Sequence, residues 1–252
     1  MRANSPTNLS FMLPDWPAPP RVRAIATTRG GGVSVGRCAS LNLADHVGDD
    51  CAAVAENRRR LSVAAGLPGA PAWLRQVHGA DVWDLDRGDP AHPVDAAYTR
   101  QPGRVCAILS ADCLPVLFAS ERGDIVAAAH AGWRGLAAGV LEAAVRSLAV
   151  PAAALLAWIG PGIGLRHYEV GADVRDALIG GDASAAPAFL AHAHGRFLAN
   201  LPLLARRRLA NLGVSRIYGG TQCTYADANR YFSHRRDGQT GRQAALIWLE
   251  PQ

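Results

Sequence analysis

Two short apolar runs, residues 114–119 and 125–129, stand on either side of the polar tetrapeptide Ser120-Glu121-Arg122-Gly123. This pattern limits the fold more than any other feature of the chain. Each run is too short for an ordinary helix, and a polar break containing Gly between two such runs marks a β-hairpin. With 120–123 as a four-residue loop, Ala119 pairs with Asp124, and that register continued down both arms sets Cys113 opposite His130. A two-residue loop keeps the register, whereas three or five residues shift it by one and turn every side chain to the other face. Opposed residues have Cβ atoms about 4.5–5.5 Å apart, so the hairpin brings a thiol and an imidazole within reach of one ion. Pro115 has no N–H for the ladder and points to an edge strand or a bulge.

The rest of the chain alternates between strand and helix signals. Residues 22–28 read as a strand followed by a turn at Gly30-Gly31-Gly32. Asp49 or Asp50 suits the N-cap of a helix through Ala65 that stops at Gly66. Residues 72–77 read as a short strand leading to His78, and 105–109 as a buried strand. After Gly132, the apolar positions Leu136, Val140, Leu141, Ala144, Val145 and Leu148 keep helical spacing. Residues 183–193 are Ala-rich and suggest a surface helix with its loop. Residues 215–218 and 244–249 suggest two late strands around a polar loop at 223–241. The expected class is α/β or α+β, with mixed β-sheets flanked by helices. The chain has 252 residues, 49% of them hydrophobic, and no linker or repeat, so residues 1–252 are expected to form a single domain.

The net charge is +5, and all 26 basic residues are Arg. A chain without Lys has no Schiff-base lysine and no P-loop lysine. An anion site must use Arg, His or backbone N–H groups. The runs Arg58-Arg59-Arg60 and Arg206-Arg207-Arg208 lie in helix-like contexts without interleaved aromatics. They read as solvated faces, so no nucleic-acid partner is expected. Five scattered cysteines without a CxxC pair argue for a reducing cytoplasm. Residues 1–20 are polar and Pro-rich, with no signal-peptide core, and no apolar run reaches membrane-spanning length.

His78, Cys113 and His130 form the main candidate site. Three protein ligands with no fourth resemble a catalytic zinc site, which keeps one position open, more than a closed structural one. Asp112 suits a residue that orients a ligating His, or a general base beside a metal-bound water. A metal-free reading also fits, with Cys113 as nucleophile and His130 as its base. The Tyr231-to-Arg242 stretch offers a phosphate or carboxylate clamp through Arg235 or Arg242. Thr27-Thr28-Arg29-Gly30 with Ser40-Leu41-Asn42-Leu43 is a similar N-terminal case. His192-Ala193-His194 reads as surface. The deaminase signature H-x-E with P-C-x-x-C, HExxH, GxSxG and Walker A are all absent.

Several stretches together resemble the laccase-domain family, also described as multicopper polyphenol oxidase-like proteins and as YfiH-type purine nucleoside phosphorylases. They are Thr27-Thr28-Arg29, Ser40-Leu41-Asn42-Leu43, His46-Val47-Gly48-Asp49, Gln76-Val77-His78-Gly79, Ala111-Asp112-Cys113-Leu114-Pro115, His130-Ala131-Gly132-Trp133-Arg134-Gly135, Ile159-Gly160-Pro161 and the 223–242 loop. The resemblance implies a cysteine-hydrolase-like fold and zinc, with copper as the alternative, on His78, Cys113 and His130. It implies phosphorolysis of adenosine, inosine, guanosine and methylthioadenosine, together with adenosine deamination. The expected catalytic residues are Cys113, Asp112 and His130, and the expected substrate-binding residues are Arg29, Asn42, Gln76, Arg134 and Arg235. Partners are then a purine nucleoside and phosphate, in a monomer or homodimer. The alternatives are a copper-dependent polyphenol oxidase (laccase) and a Cys/His amide hydrolase acting on peptidoglycan precursors.

Overall fold

The computed structural model of the protein describes residues 9–180 and 182–251. The expectation for residues 1–20 therefore falls partly outside the described residues. In chain order the elements are β1 (Phe11–Met12), β2 (Val22–Thr27), α1 (Cys51–Ala65), β3 (Pro71–Trp73), β4 (Val82–Asp84), β5 (Ala96–Thr99), β6 (Val105–Ser110), β7 (Leu114–Ser120) and β8 (Val126–Ala131). They continue as α2 (Trp133–Ala138), α3 (Val140–Leu148), β9 (Leu155–Ile159), β10 (Glu169–Val170), α4 (Ala172–Ile179), β11 (Phe189–Ala191), β12 (Phe197–Ala199), α5 (Leu201–Asn211), β13 (Arg216–Gly219), α6 (His234–Asp237) and β14 (Gln243–Leu249). They build a five-stranded sheet in the order β1-β2-β14-β6-β3, a six-stranded sheet in the order β13-β9-β7-β8-β5-β4, and a small three-stranded sheet. Both large sheets are mixed: β3–β6, β4–β5 and β9–β13 are parallel pairs and the others antiparallel.

Side-chain alternation decides how these layers stack, because successive residues of a strand point to opposite faces. Val116 and Phe118 of β7 and Ala127 and Ala129 of β8 face a core shared with α3 and α5. Leu117 and Ala119, with Val126 and Ala128, face Cys106 and Ile108 of β6 and Ala245 and Ile247 of β14. The opposite face of the five-stranded sheet packs on Leu41, Leu43 and Leu61. The two large sheets thus lie face to face, with α1 outside one and α3 and α5 outside the other. Strands buried on both faces carry apolar residues at consecutive positions, which is why β6, β7 and β8 read as unbroken apolar runs.

The hairpin forms, but its register is two residues from the expected one. Ala119 pairs with Val126 and Pro115 with His130, and Ser120 N donates to Ile125 O at 3.1 Å. The loop is therefore residues 121–124. Ser120 Oγ donates to Asp124 Oδ1 at 2.6 Å and accepts Asp124 N at 3.1 Å, which draws Asp124 into the turn. A shift of two preserves the face of every side chain, so Cys113 and His130 still point to the same side without being directly opposed. Pro115 is not on an edge, because β7 is central. Its carbonyl accepts Gly160 N at 2.8 Å, so its nitrogen faces β9 just beyond the last pair, Val116 with Ile159. Only the reciprocal bond of that end pair is missing, and the ladder inside it is intact.

Other expectations change in detail. The helix at α1 forms with Asp50 as N-cap and Gly66 in the left-handed region. The strand at 72–77 is shorter, at Pro71–Trp73. The helix after Gly132 breaks into α2 and α3 at Gly139, whose φ is 87°. Residues 183–193 hold a 3-10 helix and β11 instead of a surface helix. His192 and His194 are exposed, as expected, but sit at the β11–β12 connection. The arginine runs are only partly solvated. Arg58 lies over Trp73, Arg206 holds the carbonyls of Ile217 and Gly219, and Arg208 pairs with Glu142 at 2.8 Å.

Candidate metal centre

His78, Cys113 and His130 converge at one end of the sheet sandwich, and their donor atoms all lie within 4.8 Å of one another. Each reaches the site by a different route. His130 is on β8, Cys113 stands one residue before β7, and His78 comes from the β3–β4 connection. His130 is buried, Cys113 half-buried and His78 the most exposed of the three, so the set runs from the interior to the cavity mouth. Sγ of Cys113 lies 3.8 Å from Nε2 of His78, and the two imidazoles meet edge-on with centroids 4.8 Å apart.

Asp95 organises this set. One residue before β5, it continues the β5–β8 register to a position opposite His130, and His130 N donates to Asp95 O at 2.7 Å. Asp95 Oδ1 lies 2.8 Å from Nδ1 of His130, which fixes the ring and leaves Nε2 for another partner. The same carboxylate accepts the amides of Val77, His78 and Gly79 at 3.0, 2.9 and 2.7 Å. These bonds hold His78 in a left-handed conformation, φ 62°, that non-Gly residues rarely adopt. Burial pushes the Asp95 carboxyl up, but His130 and the Gly79 and Val77 amides outweigh it and keep its pKa below the usual value.

The thiol and imidazole are electrically coupled. Burial pushes the Cys113 thiol up, yet the His130 charge and the bonds from His130 and His78 bring its pKa down to about 6. Burial pulls His130 down, while the Cys113 thiolate and Asp95 raise it to about 9. A thiolate and two imidazoles, one already oriented by a carboxylate, suit a borderline metal such as zinc.

A cavity of about 300 Å³ opens over the three side chains and is also walled by His46, Gln76, Ser110, Arg134, His234 and Arg242. Arg134 lies over the Trp133 ring at 4.4 Å and is exposed, with no ion pair among the described residues. Arg242 gives Nη1 to the carbonyls of Thr240 and Gly241. Ser110 Oγ is buried without a partner.

The expected substrate residues divide. Arg134 and Gln76 reach the cavity; Arg29, Asn42 and Arg235 do not line it. Gln76 is also clamped to β6, with Nε2 donating to Leu109 O and Oε1 accepting Leu109 N. Arg29 holds the carbonyls of Ala39 and Ala228. Asn42 is fully buried, and its amide oxygen accepts Ala44 N and Arg242 N. Arg235 spends Nη1 on Glu169 O. Asp112 orients neither histidine. Its carboxylate accepts Thr224 Oγ1 at 2.6 Å and Arg235 N at 2.7 Å, which ties the Cys113 segment to the 223–242 loop. Sequence reasoning missed Asp95, because β5 is a four-residue strand without a strong pattern and nothing local pairs Asp95 with His130. It named His46 only as part of a motif and passed over Ser110.

Fold and site thus define an α/β protein with a His/Cys/His cluster, able to hold a metal, at the end of a sheet sandwich. The family model described as multi-copper polyphenol oxidoreductase laccase matches residues 23–250. A relative from Escherichia coli (strain K12), named purine nucleoside phosphorylase YfiH, is 52% identical over 241 residues, covering 95% of this chain and 98% of the relative. A purine nucleoside phosphorylase of Pseudomonas aeruginosa is 52% identical over 242 residues, covering 96% and 99%. A solved Neisseria meningitidis protein superposes with a TM-score of 0.91 at 46% identity, covering 96% of this chain and 99% of its own. The chain belongs to the laccase-domain family that includes the YfiH-type purine nucleoside phosphorylases.

Proposed function

We propose that this protein is a zinc-dependent purine nucleoside phosphorylase that cleaves adenosine, inosine, guanosine or methylthioadenosine to the free base and ribose 1-phosphate, and that it also deaminates adenosine. The observation that carries this reading is a three-ligand centre, His78, Cys113 and His130, opening into a cavity edged by Arg134 and Arg242. The names of the relatives supply the nucleoside and the phosphate. Zinc held by His78, Cys113 and His130 would supply a Lewis acid. The chain supplies the rest. Arg134 and Arg242 bind phosphate and neutralise its charge as it approaches the ribose anomeric carbon. Ser110 offers a hydroxyl to the bound anion. Asp95 holds His130, and Asp112 holds the Cys113 segment rather than moving protons. The shared core between the two large sheets of the described residues supports the reading of the chain as one working domain.

A metal-free reading has one observation in its favour. Cys113, His130 and Asp95 stand in the order nucleophile, base and orienting carboxylate, which suits a Cys/His amide hydrolase on substrates such as peptidoglycan precursors. A copper-dependent polyphenol oxidase has less support, because the described residues hold a single three-ligand cluster.

Metal-quantified protein incubated with adenosine, with and without phosphate, separates these readings by product chromatography. Adenine formed only with phosphate establishes phosphorolysis, and inosine formed without phosphate adds deamination. Adenosine left intact by zinc-loaded protein overturns the proposal, and activity that resists chelation but not thiol alkylation favours the hydrolase.

A further inference from the structure

A second thiol–imidazole pair lies apart from the His78/Cys113/His130 set. Sγ of Cys223 is 3.6 Å from Nδ1 of His167 and accepts the backbone N–H of Gly164 at 3.2 Å. The His167 ring stacks on Tyr225, with centroids 4.5 Å apart and planes 18° from parallel, which fixes the direction in which Nδ1 points. Cys223 and His167 are both half-buried. The backbone builds the pair deliberately close: Gly162 and Cys223 form a parallel bridge, and a Cβ at Gly164 would stand 3.2 Å from the sulfur.

Two ligands are too few to hold a metal firmly. An imidazole nitrogen beside the sulfur instead gives the thiol proton a place to go as the sulfur attacks, which is what a nucleophilic cysteine needs. The other cysteines outside the metal centre lack this arrangement. Cys38 and Cys106 are buried, and Cys51 is exposed with no imidazole partner among the described residues.

We propose that Cys223 is a peroxide-reactive thiol activated by His167. In the step, Nδ1 of His167 takes the thiol proton and the sulfur attacks one oxygen of a hydroperoxide. An S–O bond forms as the O–O bond breaks, and the leaving oxygen takes the proton back from His167 to depart as water or an alcohol. Sulfur gives up two electrons, the peroxide accepts them, and Cys223 becomes a sulfenic acid. The modified residue adjoins Thr224, whose hydroxyl holds Asp112 beside Cys113, so it sits on the strut behind the metal centre. The inference does not depend on the nucleoside reading.

The test exposes zinc-loaded protein to limiting hydrogen peroxide, traps sulfenic acid with dimedone, and measures the labelling rate of each cysteine by peptide mass spectrometry. Cys223 is expected to label about tenfold faster than Cys51, as a thiol with a neighbouring base does relative to one without. His167→Gln is expected to bring Cys223 down to the Cys51 rate. Labelling of Cys223 no faster than Cys51 overturns the proposal, a comparison that needs no variant. An unchanged rate in folded His167→Gln protein removes His167 from it.

Discussion

Gly132 has to remain without a side chain, since a Cβ there would lie 2.6 Å from Sγ of Cys113 and 3.1 Å from Cδ2 of His78. Gly132→Ala is expected to displace one ligand and cost about 1–3 kcal/mol through overpacking, with the loss read as bound metal per chain and as a lower melting temperature. Asp95→Asn is expected to weaken metal affinity about 10–100-fold, as loss of a residue that orients a ligating His does. Competition with a chromogenic chelator measures this, and unchanged affinity would remove Asp95 from the centre. Alkylation of metal-free protein tests the thiol. The Cys113 pKa is lowered to about 6, so its thiolate predominates at pH 7 and declines only as the pH falls through that value. Burial raises Cys106, which keeps it a thiol over the same range. Iodoacetamide should therefore modify Cys113 with a midpoint near pH 6 and leave Cys106 untouched. A Cys113 midpoint in the ordinary thiol range would show that His130 does not stabilise the thiolate.

Among the elements, the β7–β8 hairpin holds His130 and leads in from Cys113, two of the three clustered side chains, and its turn decides their offset. The Ser120–Asp124 bonds set the loop at residues 121–124 and place His130 opposite Pro115 rather than Cys113. The apolar pattern is identical in both registers, because a two-residue shift leaves the faces unchanged. Only the turn's side-chain bonds distinguish them. The α2–α3 break is similar. The apolar spacing from Leu136 to Leu148 runs through it, but Gly139 adopts φ 87° and ends α2. Gly139→Ala forces a side chain into that conformation and is expected to cost about 1–2 kcal/mol, measured by urea unfolding. No change in stability would mean that the break does not need glycine.

On the scale of the molecule, stability is expected to rest on the stacked layers rather than on a metal held at His78, Cys113 and His130. The residues between and outside the sheets are overwhelmingly apolar and fully buried, in contrast to small domains that unfold without zinc. Chelation is therefore expected to abolish phosphorolysis while far-UV circular dichroism stays native and thermal unfolding remains cooperative. Unfolding on metal removal would mark the centre as structural. No helix among the described residues is long and apolar enough to cross a membrane.

The clustering of His78, Cys113 and His130 was legible in the sequence because each stands in a short, chemically distinctive stretch, and the buried strands because apolar runs report burial on both faces. A cap at Asp49 or Asp50 and the stop at Gly66 were legible for the same local reason, and the structure chose Asp50. What only the tertiary structure decided are the relations across the fold: Asp95 against His130, Asp112 turned to Thr224 and Arg235, and Arg29, Asn42 and Arg235 used on backbone and loop contacts rather than in the cavity. Which partner a carboxylate or guanidinium meets depends on strands and loops brought together from far along the chain, and local pattern carries no record of that pairing.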